Sequence, residues 1–343
     1  MTTDVLEVPD ELARRHRRRA GLMAAGTALV ILFVLGLLLG SRMFSVSTTI
    51  QALWADNGDA HTIVTEQRLP RTVLALVVGA ALAAAGALMQ GQTRNPLADP
   101  GLLGVSAGSS FAIVLMAVLL PGSSRLVLLG AAFGGAVVVT VAVYLIGTAG
   151  GRGSSPLTLV LAGVALGALL SGITATLEIL RAGALQAARG WAAGDVADRG
   201  WTTVWITLAC TVVGLALAAA ASRGLNAESL GADLATSLGS NRATTRRLVV
   251  IAVTLLCGAA TAAVGVVWFV GLMVPHVARW ITGADQRWIL AYSCLLGAAL
   301  MLSADVLGRI VLMPSEIPAG LVTAFIGGPV LIHLVRRRTA SGL

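Results

Sequence analysis

The sequence predicts an all-α polytopic membrane protein of about ten transmembrane helices. Three observations carry that prediction. Hydrophobic residues make up 57% of the 343-residue chain and charged ones 12%, about half the charged share of a soluble domain. The apolar residues fall in continuous runs of roughly 18–25, the length that crosses a bilayer as a helix. The runs are rich in Ala, Leu, Gly and Val and do not alternate with polar residues, which argues against a transmembrane barrel.

Residues 1–19 are polar, end in a basic run from Arg14 to Arg19, and read as a cytoplasmic N-terminal extension. The first apolar run, 20–41, is too long for a signal-peptide core and reads as an uncleaved span. Further spans are expected at 69–90, 103–120, 126–148, 157–180, 201–221, 247–266, 270–283, 288–309 and 317–335. The eighth is short and contains Pro275. Together they define a transmembrane domain over 20–338, followed by a tail at 339–343. An even number of spans places both termini on one side, and the arginines at each terminus mark that side as cytoplasmic. Counted with those at the termini, 16 of the 24 arginines fall on that side; Arg42, Arg68, Arg71, Arg125, Arg181, Arg189, Arg199 and Arg309 fall on the outer one.

Composition excludes several classes of function. The chain has no lysine, so it has no P-loop lysine for nucleotide phosphates, and any ATP-driven work belongs to another subunit. The net charge of +8 reflects arginines in short inter-helix loops and not a nucleic-acid surface. Cys210, Cys257 and Cys294 stand singly inside apolar runs, without metal or disulfide spacing. Glu178 and Asp305 lie near outer span ends, and Asp305 pairs with Arg309 at i,i+4. No acidic residue falls clearly at a midplane position, which weighs against a proton- or sodium-coupled carrier.

Four segments stand out as candidates for work. Arg68 and Arg71 share one face at the outer start of the second span, flanking Pro70, where two cations oppose the helix dipole. They fit either lipid headgroup phosphates or an acidic partner surface. Asn95-Pro96-Leu-Ala-Asp99-Pro100 cannot continue a helix, and Asp99 is placed to cap the third span or to pair with Arg94. Residues 222–247 form the longest cytoplasmic loop, with Leu230, Leu234 and Leu238 every four residues among Asn226, Glu228, Ser229 and Asp233. That pattern predicts one or two short amphipathic helices, split at Gly231, whose acidic polar face suits a protein groove better than a membrane surface. Gly271 to His276 is expected to break the helix between the seventh and eighth spans, with His276 as a structural residue. Gly130/Gly134 and Gly163/Gly167 suit close helix packing. A weak echo links 79–86 to 258–265, two spans of opposite direction.

Together these residues resemble the permease family of ATP-binding-cassette importers for iron–siderophores, haem and cobalamin, the FecCD family. The resemblance covers the chain from about residue 20 and rests on five motifs. They are Arg68-Leu-Pro-Arg71, Gly86-Ala-Leu-Met-Gln90, 95–104, Phe269 to Arg279, and Glu316 to Pro329. The resemblance implies the large, type II importer permease fold in the plasma (cell inner) membrane. It implies a second permease subunit, identical or paralogous, two P-loop ATPase subunits that hold ATP and magnesium, and an extracytoplasmic binding lipoprotein. It implies no cofactor and no enzymatic activity on this chain, and a ferric siderophore or related chelate as cargo, with haem and cobalamin left open. By residue, it implies binding-protein docking at Arg68, Arg71 and Arg309. It implies ATPase coupling through Leu225, Asn226, Ala227, Glu228, Ser229, Leu230, Gly231, Leu234, Leu238 and Gly239. It implies a cytoplasmic gate at Ser154, Ser155 and Thr158. Asn95, Pro96, Asp99, Pro100, Pro275 and His276 are family-motif residues with a structural reading.

Overall fold

Apolar runs that cannot leave backbone polar groups unpaired in lipid must close their hydrogen bonds within helices. The computed structural model describes residues 11–40, 42–55, 58–148, 156–237 and 239–340, and among them all regular structure is helical. The long elements are α1 (Glu11–Leu38), α4 (Leu69–Thr93), α5 (Val105–Leu119), α6 (Arg125–Thr148), α7 (Pro156–Leu180), α9 (Gly200–Ser229), α11 (Arg242–Val264), α12 (Val270–Thr282), α13 (Gln286–Val311) and α14 (Ala319–Ala340). Shorter helices are α2 (Val46–Trp54), α3 (Asp59–Thr62), α8 (Ala182–Ala192) and α10 (Ala232–Ser237).

Every predicted apolar run is helical, yet seven helices among the described residues are long and apolar enough to cross a membrane by themselves. The apolar parts of α5 and α14 are shorter, and α12 has 13 residues, about 20 Å of helix against a hydrocarbon core of about 30 Å. The breaks ahead of α5 and α12 explain two of these. A 3-10 turn, Pro100–Leu103, precedes α5, and an irregular stretch from Gly265 (φ +89°) to Phe269 (φ +67°) precedes α12. Such backbone is tolerated at depth where protein buries it. The break falls at 265–269, not at 271–276 as expected: Pro275 lies inside α12 and only removes one donor from it.

The centre of the bundle is α4, continuous through a π-helical turn (Ile63–Arg68) with α3, so that one helix runs from Asp59 to Thr93. Its most apolar stretch is 83% buried, against 11% for α1. Small residues allow this. Gly79 meets the backbone of Gly297 in α13, and Gly86 meets that of Gly271 in α12 so closely that a Cβ would lie 1.7 Å from the Gly271 carbonyl oxygen. Gly130 and Gly134 of the predicted packing motif meet nothing within 4 Å; the close contact of α6 is one residue on, Gly135 against Gly108 of α5. The echoed segments are not equivalent either, since Gly86 lies inside α4 whereas Gly265 ends α11. Exposed apolar side chains such as Val30, Ile31, Leu161, Val164, Val212 and Ile251 cover the outside of α1, α7, α9 and α11, as a bilayer or a partner helix requires.

Helix ends also depart from expectation. The boundary proposed at 19/20 falls inside α1 and that at 338/339 inside α14. The sixth span runs on to Ser229, so the loop expected at 222–247 shrinks to 230–241 and contains one short helix, α10. The reason is tertiary: Leu225 is 3% exposed in the core, and Gly224 packs directly on Thr245 of α11.

Candidate functional site

The long helix that carries Arg68 and Arg71 starts at Asp59, so neither arginine stands at a helix N-terminus. The conflict with the helix dipole inferred from the sequence therefore does not arise. The π turn just before Pro70 pairs the Leu69 N–H with the Val64 carbonyl. This local i→i+5 step sits beside the donor that proline lacks.

The three arginines converge with two carboxylates at one end of the bundle. Asp305, with no solvent exposure, accepts from Arg71 Nε at 2.7 Å through Oδ1 and from Arg309 Nη2 through Oδ2. Arg71 Nη1 also donates to Glu316 at 2.5 Å. Arg309 Nη1 donates to the Gly36 carbonyl at 2.7 Å. Arg68 donates to the carbonyls of Leu37 at 2.9 Å, Leu38 at 3.0 Å and Arg42, with its guanidinium 5.0 Å from the Phe44 ring. The end of α1 thus hands its last carbonyls, left unpaired by the helix, to buried guanidiniums of α4 and α13. The i,i+4 pair Asp305–Arg309 is as read from the sequence; the partnership with Arg71, 234 residues away, is not legible there. Arg68 and Arg309 are buried and Arg71 nearly so, each with partners inside the chain. A cavity of about 280 Å³ adjoins them, lined also by Arg42, Asp198 and Glu316, and Arg309 Nε has no hydrogen-bond partner.

At the other end of α4 a second polar set ties four helices together. Asn226 Nδ2 donates to Asp285 at 2.8 Å, and Asn226 Oδ1 accepts from the Gln286 N–H at 2.8 Å. Gln286 Nε2 donates to the Ala87 carbonyl at 2.7 Å, and Gln90 Nε2 to that of Leu272 at 2.9 Å. Arg94 donates to the Glu228 carbonyl. The residues expected to couple to an ATPase therefore divide. Leu225, Asn226, Ala227, Glu228 and Ser229 belong to α9, with Asn226 and Glu228 engaged inward, whereas Leu230 and Leu234 are exposed and Gly231 and Gly239 turn the chain with positive φ. Leu238, Ser154 and Ser155 lie outside the described residues. Thr158 is exposed in the first turn of α7.

Between α4 and α5 the broken segment is a compact turn. Asn95 Oδ1 accepts from the Leu97 N–H at 3.0 Å, and Asp99 Oδ1 from the Gly101 N–H at 2.8 Å, capping the 3-10 turn. Pro96 lies within this turn, and Pro100 packs beside Gly271. Asp99 is a cap and not a partner of Arg94. His276 is buried, its ring edge-on to Trp280 at 5.0 Å.

Burial pushes the Asp99 carboxyl above its ordinary range, partly offset by the Gly101 hydrogen bond. Its proton is then held more tightly in the folded chain, so its contribution to stability is full at acid pH and is lost as pH rises through the raised value. Asp99→Ala is expected to cost about 1 kcal/mol by removing the cap. Asp99→Asn is expected to keep the cap and remove that pH slope. Unfolding midpoints in detergent at acid and neutral pH check this; a slope unchanged in Asp99→Asn would reject the assignment.

A bundle of interrupted apolar helices pinned by buried polar contacts is the architecture of a multi-pass membrane protein. The chain belongs to the FecCD transport family, whose model matches residues 28–337. It is 48% identical to the ferric enterobactin transport system permease protein FepD of Escherichia coli (strain K12), over 92% of this chain and 94% of that protein. It is 38% identical to the iron(3+)-hydroxamate import system permease protein FhuB of Bacillus subtilis (strain 168), over 92% of this chain and 83% of that one. Its fold matches a solved structure described as an inward-facing conformation of a metal-chelate type ABC transporter, with TM-score 0.83, 29% identity, and coverage of 93% of this chain and 100% of that one.

Proposed function

We propose that this chain is the membrane-spanning permease subunit of an ATP-driven importer that carries a ferric siderophore into the cytoplasm. The observation that supports it most is the match along nearly the whole chain to FepD, whose name specifies ferric enterobactin. FhuB is named for another ferric chelate, so a ferric cargo is favoured over haem or cobalamin. In this reading the chain hydrolyses nothing. ATP and magnesium are bound by two ATPase subunits, a second permease subunit completes the pathway, and an extracytoplasmic binding protein delivers the chelate. Exposed Leu230, just before the short helix α10, and exposed Leu234 within it suit an ATPase groove. The cavity at Arg42, Arg68, Arg71 and Arg309 suits an acidic side chain of the binding protein.

Uptake of radioiron-loaded siderophores into proteoliposomes that contain the partner subunits tests the proposal. Accumulation is expected to require ATP and to survive a proton ionophore. Uptake without ATP that collapses with the ionophore would make the chain part of a gradient-driven carrier instead.

A further inference from the structure

At the end of α4 remote from the arginine–carboxylate knot, α4, α7, α9 and α11 enclose a cavity of about 260 Å³. Its polar wall is Gln92, Thr93, Glu228, Arg242 and Arg246. Glu228 is 5% exposed, and its Oε1, like Gln92 Oε1, is shut off from solvent with no hydrogen-bond partner. Buried acceptors of this kind are costly unless a donor meets them. Two guanidiniums, Arg242 and Arg246, and one carboxyl group, Glu228, line the cavity together, so the site is cationic overall. Such a wall suits a ligand with both signs: an anion for the arginines and an N–H-bearing cation for the side chains of Glu228 and Gln92 that line it. Leu159 and Val160 of α7 and Val249 and Val250 of α11 supply an apolar wall to the same cavity. Next to them in sequence Leu161 and Ile251 are exposed on those two helices, an apolar flank that acyl chains could cover.

We propose that this cavity binds the phosphoethanolamine headgroup of a membrane lipid, phosphate towards Arg242 and Arg246 and ammonium towards Glu228 and Gln92. Basic pockets between spans commonly hold lipid phosphates; the buried carboxylate is what narrows this one to a headgroup with an N–H cation. Phosphatidylcholine has the same charges but no N–H, and phosphatidylglycerol has no cation. The same zwitterion in free form, soluble phosphoethanolamine, shares the recognition chemistry, and the apolar flank favours the lipid.

The full-length chain, purified through nanodiscs of mixed composition and weighed with its retained lipid by native mass spectrometry, provides the test. Wild type is expected to retain phosphatidylethanolamine over phosphatidylcholine by roughly tenfold, the value of a charge-assisted hydrogen bond. Glu228→Gln is expected to bring that ratio close to one, and Gln92→Met to lower it. Arg242→Gln, at an exposed residue, is expected to weaken both lipids alike while leaving the ratio. If Glu228→Gln does not fold, the Gln92 and Arg242 variants decide. Equal retention of both lipids by wild type, stronger retention of phosphatidylglycerol, a ratio unmoved by the Glu228 and Gln92 variants, or no retained lipid would each overturn the proposal. Binding of free phosphoethanolamine without retention of the lipid would overturn the lipid as its source.

Discussion

Asp305→Ala is expected to cost about 3–5 kcal/mol, the range for removing one partner from a buried ion pair. Asp305 has no solvent exposure and serves two guanidiniums at once, one from α4 and one from its own helix. Its loss is unequal for the two. Arg71 keeps Glu316 at 2.5 Å, but Arg309, itself 2% exposed, keeps only the carbonyls at the end of α1. A buried cation without a carboxylate is the expensive outcome, since its desolvation is no longer offset. Adding Arg309→Met to Asp305→Ala is therefore expected to recover part of the loss, because the charge left stranded is gone. Unfolding midpoints and monodisperse yield of the single and double variants measure this. A double variant less stable than Asp305→Ala alone would show that Arg309 holds α1 through its carbonyl contacts more than it burdens the core with charge.

That knot also shows what a sequence can and cannot reveal here. The helices were legible because a bilayer forces continuous apolar runs, and all ten runs are helical. Their ends were not, because tertiary contacts extend helices past the apolar run. Asn226 and Glu228 look like loop residues by composition, yet Arg94 just past α4, Asp285 at the cap of α13 and Gln286 within it hold α9 helical to Ser229. The short helices α2 and α8 were missed for the opposite reason, being too short to produce a long apolar run. Asp305–Arg309 was readable as neighbours on one helix turn. Arg71–Asp305, Arg68 with the carbonyls of α1, and Gln286 with Ala87 join distant segments, and no local period encodes them. Asp99 as a cap was readable because capping is local chemistry. The consequence for the candidate site is direct: charge and position singled out Arg68 and Arg71, and the family resemblance added Arg309, whereas their burial and internal partners required the fold.

Glycine shows the same division and yields the second large effect. Gly86→Ala places a methyl group 1.7 Å from the Gly271 carbonyl oxygen, and Gly79→Ala places one 2.3 Å from that of Gly297. Both obstacles are backbone, so no side chain can rotate away and whole helices must separate. Overpacking of this kind typically costs about 1–3 kcal/mol, and α4 at the bundle centre gives it little room to relax. The Gly79–Gly297 crossing is reciprocal, since a methyl on Gly297 would also stand 2.3 Å from the Gly79 carbonyl oxygen. Once one methyl has forced α4 and α13 apart, the second is expected to cost less, so the double variant falls short of the sum. Gly172 in α7 meets nothing within 4 Å, and there alanine is expected to be neutral or stabilising by about 0.5–1 kcal/mol through helix propensity. Unfolding midpoints of Gly86→Ala, Gly79→Ala, Gly297→Ala, the Gly79/Gly297 double variant and Gly172→Ala decide between a central helix held by backbone contact and one packed with slack. Equal midpoints for Gly86→Ala and Gly172→Ala would rule out the close α4–α12 crossing, and strict additivity at Gly79 and Gly297 would rule out their mutual contact.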